Sequence, residues 1–154
     1  MGEKTQHIIC AVRGSPQSQK TVTRAIELAL EASARLTFFY AVDVEFLART
    51  TIRGPLSVVY RELIEMSEFT MLILKDRAER RGLTQVDFII REGDVRTQLL
   101  DLVREMQPEV LVLGWPLRGA GRPRFRPDEV RAFVAELERE GNMCVDVTPA
   151  PPGT

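Results

Sequence analysis

The chain has 154 residues, 44% of them apolar and 28% charged, with a formal net charge of -1, so it fits one domain with a sizeable core and has no room for a second. Near-neutrality excludes the broad basic surplus of a general nucleic-acid or membrane-surface binder, and any basic patch must be local. No apolar run approaches the ~18 residues of a membrane span, and the polar start Met1-Gly2-Glu3-Lys4-Thr5-Gln6 lacks both the apolar core of a signal peptide and the Ser or Thr at position 6 of a myristoylation pattern, which together predict a cytoplasmic protein without membrane partners.

Residues 1–6 are read as a flexible tail, followed by a β-rich run at His7-Ile8-Ile9-Cys10-Ala11-Val12. Ser15-Pro16 supplies a cap and an early proline for a first helix, whose apolar stripe is Val22, Ala25, Ile26, Ala29 and Ala32. Leu36-Thr37-Phe38-Phe39-Tyr40-Ala41-Val42 is the second strand. Asp43 to Arg53 has no clear periodicity and reads as a long loop able to lie over a crevice. A second, longer helix spans Leu56 to Arg81, entered through Gly54-Pro55 and ended by Gly82, and its charged turn Lys75 to Arg81 is expected to be a solvated face without a partner. Val86-Asp87-Phe88-Ile89-Ile90 is the third strand. Val95, Leu99, Leu102, Val103 and Met106 mark a third helix stopped by Pro108, Val110 to Leu113 a fourth strand ending on Gly114, and Val130, Phe133, Val134 and Leu137 a fourth helix stopped by Gly141. The fifth strand is Met143-Cys144-Val145-Asp146-Val147, and the proline-rich tail 149–154 cannot extend it. Residues 7–148 thus form one domain between two tails.

Strict alternation of strand and helix, with near-continuous apolar strands, predicts a parallel sheet covered on both faces by right-handed crossovers. The fold class is α/β, doubly wound and Rossmann-like. In such a sheet the carboxyl end of a strand, the loop after it and the next helix start form the usual ligand crevice. The segment after Gly114 is therefore the first candidate site, and its loop, residues 115–126, has the length and glycine content of a phosphate cradle. Cys10 and Cys144 each lie within an apolar strand-like run, where a free thiol is expected to be a small buried hydrophobe. With His7 as the single histidine there is no metal cluster, no Ser/His/Asp set and no Gly-x4-Gly-Lys-Ser/Thr loop, so no enzyme is expected.

The order of these elements and the local sequences on them resemble the universal stress protein family over nearly the whole chain. His7 to Ser15 looks like the family's first strand running into its Asp-Gly-Ser turn, Tyr40-Ala41-Val42-Asp43 like the end of its second, and Arg91-Glu92-Gly93-Asp94 like the turn after its third. Val110 to Gly114 looks like the start of its nucleotide motif, Gly-x2-Gly-x9-Gly-Ser/Thr. The resemblance implies a five-stranded sheet in the order 3-2-1-4-5 and a homodimer. By that order the last strand, Met143, Cys144, Val145, Asp146 and Val147, is an edge, and antiparallel pairing of two such edges is the expected dimer contact.

In family members that bind ATP, an acid ending the first strand meets the adenine end, while the glycines and the Ser/Thr hold ribose and phosphates. Here Arg13 stands where the acid would be, ahead of Gly14 and Ser15. Ungapped counting from Gly114 puts Leu117 at the second glycine, Pro127 at the third and Asp128 at the Ser/Thr; Gly119 or Gly121 could serve as the second only with a gap. Anions bind helix starts through free N–H groups and the positive dipole end. Pro127 removes one such N–H, and Asp128 places a negative charge where the phosphate would sit. Arg118, Arg122, Arg124 and Arg126, with Arg13 at the neighbouring strand end, could instead make a positive mouth for a phosphate or carboxylate held by side chains. Val42 and Asp43 complete the candidate crevice.

Two functions remain. One is a non-enzymatic regulatory or stress-response module that has lost family-style ATP binding, takes no cofactor, and acts as a dimer or through a protein partner. The other is a nucleotide- or anion-binding switch built on the arginine-rich loop 115–126.

Overall fold

The computed structural model describes residues 6–12, 18–42, 56–114, 127–141 and 144–148. In chain order these form β1 (His7–Ala11), α1 (Ser18–Ala32), β2 (Arg35–Val42), α2 (Leu56–Arg80), β3 (Val86–Glu92), α3 (Val95–Met106), β4 (Val110–Gly114), α4 (Pro127–Gly141) and β5 (Cys144–Thr148). All pairings are parallel, in the order β3-β2-β1-β4-β5, as the resemblance implied.

Side chains alternate between the two faces of a strand, and the core divides accordingly. Ile8, Cys10, Val12, Leu36, Phe38 and Val112 pack with residues of α1 and α2 on one face. Ile9, Phe39, Leu111 and Leu113 pack under α3 and α4 on the other, against Leu99, Leu102, Val103, Phe133 and Leu137. In α1, Val22, Ala25, Ile26 and Ala29 recur at helical spacing and are buried, and the two alanines let the helix lie close to the sheet. Ala32, expected on the same stripe, is exposed. The helix ends there, Ser33 turns at φ 50°, and Ala34 re-enters the core in its place.

The end of α2 is fixed by chemistry readable in the sequence. Gly82 sits at φ 113°, its N–H donates to the Glu79 carbonyl at 3.0 Å, and the Leu83 N–H reaches the Ala78 carbonyl at 3.2 Å. That is a Schellman closure, which favours glycine at its left-handed position. The charge run before it is not wholly solvated, contrary to expectation: the Arg77 guanidinium donates to Thr23 Oγ1 at 2.7 Å, tying α2 to α1. Arginine's long stem makes this link between helices 54 residues apart in sequence, a pairing no local pattern announces.

Candidate functional site

The crevice lies at the carboxyl ends of β1 and β4, where the crossovers change direction and the sheet order passes from β1 to β4. Of the predicted residues, Val42 and Gly114 are described at this end of the sheet. Arg13, Gly14, Ser15, Asp43, Arg118, Gly119, Gly121, Arg122, Arg124 and Arg126 lie outside the described residues, and Asp128 is described only as the second residue of α4.

Val42 is buried, and its carbonyl accepts the Gly93 N–H at 2.8 Å, so the end of β2 is tied to the turn after β3. Gly93 stands at φ 135°, a conformation that favours glycine. Asp94, which follows, caps α3: its carboxylate accepts the Thr97 N–H at 3.1 Å and the Thr97 hydroxyl at 3.2 Å. That acid therefore serves helix geometry. Gly114 also has a packing reason to be glycine, because a Cβ there would lie 3.0 Å from Thr21 Oγ1 on α1. The one motif glycine retained in ungapped register is thus explained by the close approach of β4 to α1, without a phosphate.

α4 opens on Pro127. Proline is well suited to the first helical position because its missing N–H would have had no partner within the helix. For the same reason it has nothing to donate to an anion. Further along the helix, Glu136 pairs with Arg96 at 3.0 Å and Glu140 with Arg104 at 3.2 Å, and the Arg96 guanidinium lies 5.5 Å from the centroid of Phe133. These contacts clamp the middle and the C-terminal end of α4 to α3.

β5 is an edge strand, as expected. Cys144, predicted to be buried, is exposed, whereas Cys10 is buried. The difference follows from position: Cys10 lies in the central strand, and Cys144 is the first residue of an edge. Burial pushes the Cys10 thiol far up, so it stays protonated. Asp146 accepts from Arg24 of α1 at 3.2 Å, so the middle of the edge strand is anchored to the helix layer. Val145 and Val147 are partly buried, and Met143 lies outside the described residues.

The opposite end of the sheet carries a polar cluster that sequence reasoning missed. The Thr37 hydroxyl donates to Asp87 Oδ1 at 2.6 Å, which leaves its oxygen to accept from His7 Nε2–H at 2.7 Å. Arg35 donates to the other Asp87 oxygen at 2.6 Å, and the His7 backbone N–H donates to Glu109. Burial, aided by the charge of Arg35, lowers the His7 pKa and keeps the ring neutral. Burial would raise the Asp87 pKa, but hydrogen bonds from Thr37 and Arg35 outweigh it and hold the carboxyl below its usual range. Thr37 is fully buried, so this is a structural tie across β1, β2 and β3. Thr37→Val should cost about 1–3 kcal/mol, because it leaves the His7 N–H without its acceptor while preserving shape; urea denaturation with an unchanged m-value measures it.

The described residues contain no group of three or more His, Cys, Asp or Glu placed to hold a metal ion, and no helix long and apolar enough to cross a membrane. Comparison with curated protein sequences returns no match. Among solved structures the fold is similar to universal stress protein UspA from Lactobacillus plantarum, at TM-score 0.72 and 18% identity, covering 95% of this chain and 99% of that one. It is also similar to a universal stress protein in complex with cAMP, at TM-score 0.65 and 18% identity, over 95% and 98% of the two chains. A third is the universal stress protein from Archaeoglobus fulgidus in complex with dAMP, at TM-score 0.59 and 14% identity, over 94% and 97%. The sequence profile of the Universal stress protein family matches residues 4–126, so that strand order, turn sequences and profile agree, and the chain belongs to this family.

Proposed function

We propose that this universal stress protein is a non-enzymatic regulatory module that has lost the family's way of holding ATP, takes no cofactor in its place, and works as a homodimer through β5. The observation that carries this reading is the start of α4 at Pro127. A phosphate held at that helix start needs N–H donors and an uncharged neighbourhood. Proline withholds a donor, Asp128 adds a negative charge, and Arg13 replaces the acid at the adenine end. These residues do not fit ATP bound in the family manner. For the dimer, the support is the edge position of β5, whose outer hydrogen-bonding groups suit a second β5 across a two-fold axis.

Mass spectrometry of the supernatant from denatured, freshly purified protein is expected to show no stoichiometric adenine nucleotide. Thermal unfolding with millimolar ATP is expected to match that without it, whereas a site with a Kd of about 10 µM would add about 2.7 kcal/mol. A retained nucleotide or a shift of that size would overturn the reading. The second reading, an anion-binding switch on Arg118, Arg122, Arg124 and Arg126, is favoured by the two structural relatives solved with cAMP and dAMP. It requires stabilisation by a nucleotide that disappears in Arg122→Ala/Arg124→Ala/Arg126→Ala.

A further inference from the structure

The five large apolar side chains that stand exposed among the described residues all lie on one helix: Val58, Met66, Phe69, Leu72 and Ile73 of α2, with Phe69 at 67% and Met66 at 68%. The opposite side of the same helix is already used, since Met71 and Ala78 are buried against the sheet. α2 is therefore apolar on two sides, and the described residues cover only one of them. A concentrated apolar face of this kind marks an interaction surface.

Its spacing and charge indicate the partner. Met66, Phe69 and Ile73 follow one another at steps of three and four, with Val58 and Leu72 on the same stripe, and Glu62, Glu65 and Asp76 flank it. Charge is polarised along the helix: Arg61, Glu62, Glu65 and Glu68 give its first half a net charge of -2, while Lys75, Asp76, Arg77, Glu79 and Arg80 give its last part +1. A surface acidic at one end and basic at the other complements itself when turned head to tail. With a two-fold axis at the level of Met71, Phe69 meets the partner's Ile73 and Glu62 meets the partner's Arg80. We propose that the outer face of α2 is an interface with a second copy of this chain, packed as an antiparallel helix pair. An anionic lipid surface is a poor alternative occupant, because Glu62, Glu65 and Glu68 line the acidic half.

This interface is separate from β5 pairing, and the two can be told apart. Sedimentation at tens of micromolar is read for wild type, Phe69→Glu, Glu62→Arg, Arg80→Glu and the double variant Glu62→Arg/Arg80→Glu, with circular dichroism confirming each fold. Phe69→Glu should remove one doubling of mass, from dimer to monomer, or from tetramer to dimer if β5 also pairs. Each single charge reversal affects two symmetry-related pairs and should weaken association by about ten- to thirty-fold; the double variant should recover it. A wild-type monomer would overturn the proposal. So would a mass unmoved by Phe69→Glu, a result that leaves dimerisation through β5 standing, or a double variant no better than the singles.

Discussion

Phe38→Ala is expected to destabilise the fold by about 3–5 kcal/mol, the range for emptying a large aromatic site in a packed core. Phe38 has no exposed surface and sits in β2, with Cys10 on one side and Phe88 on the other in register. Its ring fills the layer between the sheet and the helices α1 and α2. The rigid strands on either side cannot close around the void, so both the lost transfer energy and a cavity penalty apply. Against a typical total of about 5–15 kcal/mol, that loss would bring a marginal domain close to unfolding. Urea denaturation followed by fluorescence and circular dichroism measures it. Phe69→Ala, at an exposed aromatic on α2, is the control and should change the midpoint by no more than about 0.5 kcal/mol at concentrations where the chain is monomeric. A cost for Phe38→Ala below about 1.5 kcal/mol would mean that the α1 and α2 layer is not packed on β2 as described.

The elements were legible because each is encoded locally. Val95, Leu99, Leu102, Val103 and Met106 carry a helical period that the core uses as written, with Leu99, Leu102 and Val103 buried. Gly82 announced the end of α2 through the backbone geometry it permits. The order of strands is a different matter. Alternation gives parallel crossovers but not the side on which each strand is added, and that came from resemblance. What stayed hidden was whatever depends on meetings between distant residues. Thr37 reads as one more position in an apolar strand, and its role appears only when β1 and β3 bring His7 and Asp87 to it. Cys144 looks like a core residue in sequence because an edge strand and a central strand share the same local pattern. α2 is the clearest case. Its helical character was visible, but one apolar side cannot be told from two until the sheet has claimed one of them.

Arg13→Asp/Pro127→Gly/Asp128→Ser is expected to create family-style adenine nucleotide binding in a chain proposed to have lost it. The largest contribution comes from Asp128. Its carboxylate and a phosphate about 4 Å apart repel by about 1 kcal/mol in water and about 4 kcal/mol at the intermediate dielectric of a protein surface. At 1.4 kcal/mol per tenfold, removing that charge strengthens binding by about fivefold to several hundredfold. Glycine at 127 restores a donor at the helix start and lets the backbone approach a ligand, though it should cost stability because proline is preorganised for the first helical turn. Aspartate at 13 restores an acceptor for the adenine end. Isothermal titration with ATP reads the gain directly, and the ion pairs Arg96–Glu136 and Arg104–Glu140 should keep the rest of α4 docked on α3 in the variant. A folded triple variant that still ignores ATP would move the cause of the loss to the loop before α4, where Leu117 occupies the second glycine position of the motif, and adding Leu117→Gly would then be the deciding step. Binding by the unaltered chain that vanishes on removing Arg122, Arg124 and Arg126 would assign the nucleotide to side chains instead, and the helix start would have lost nothing the protein still needs.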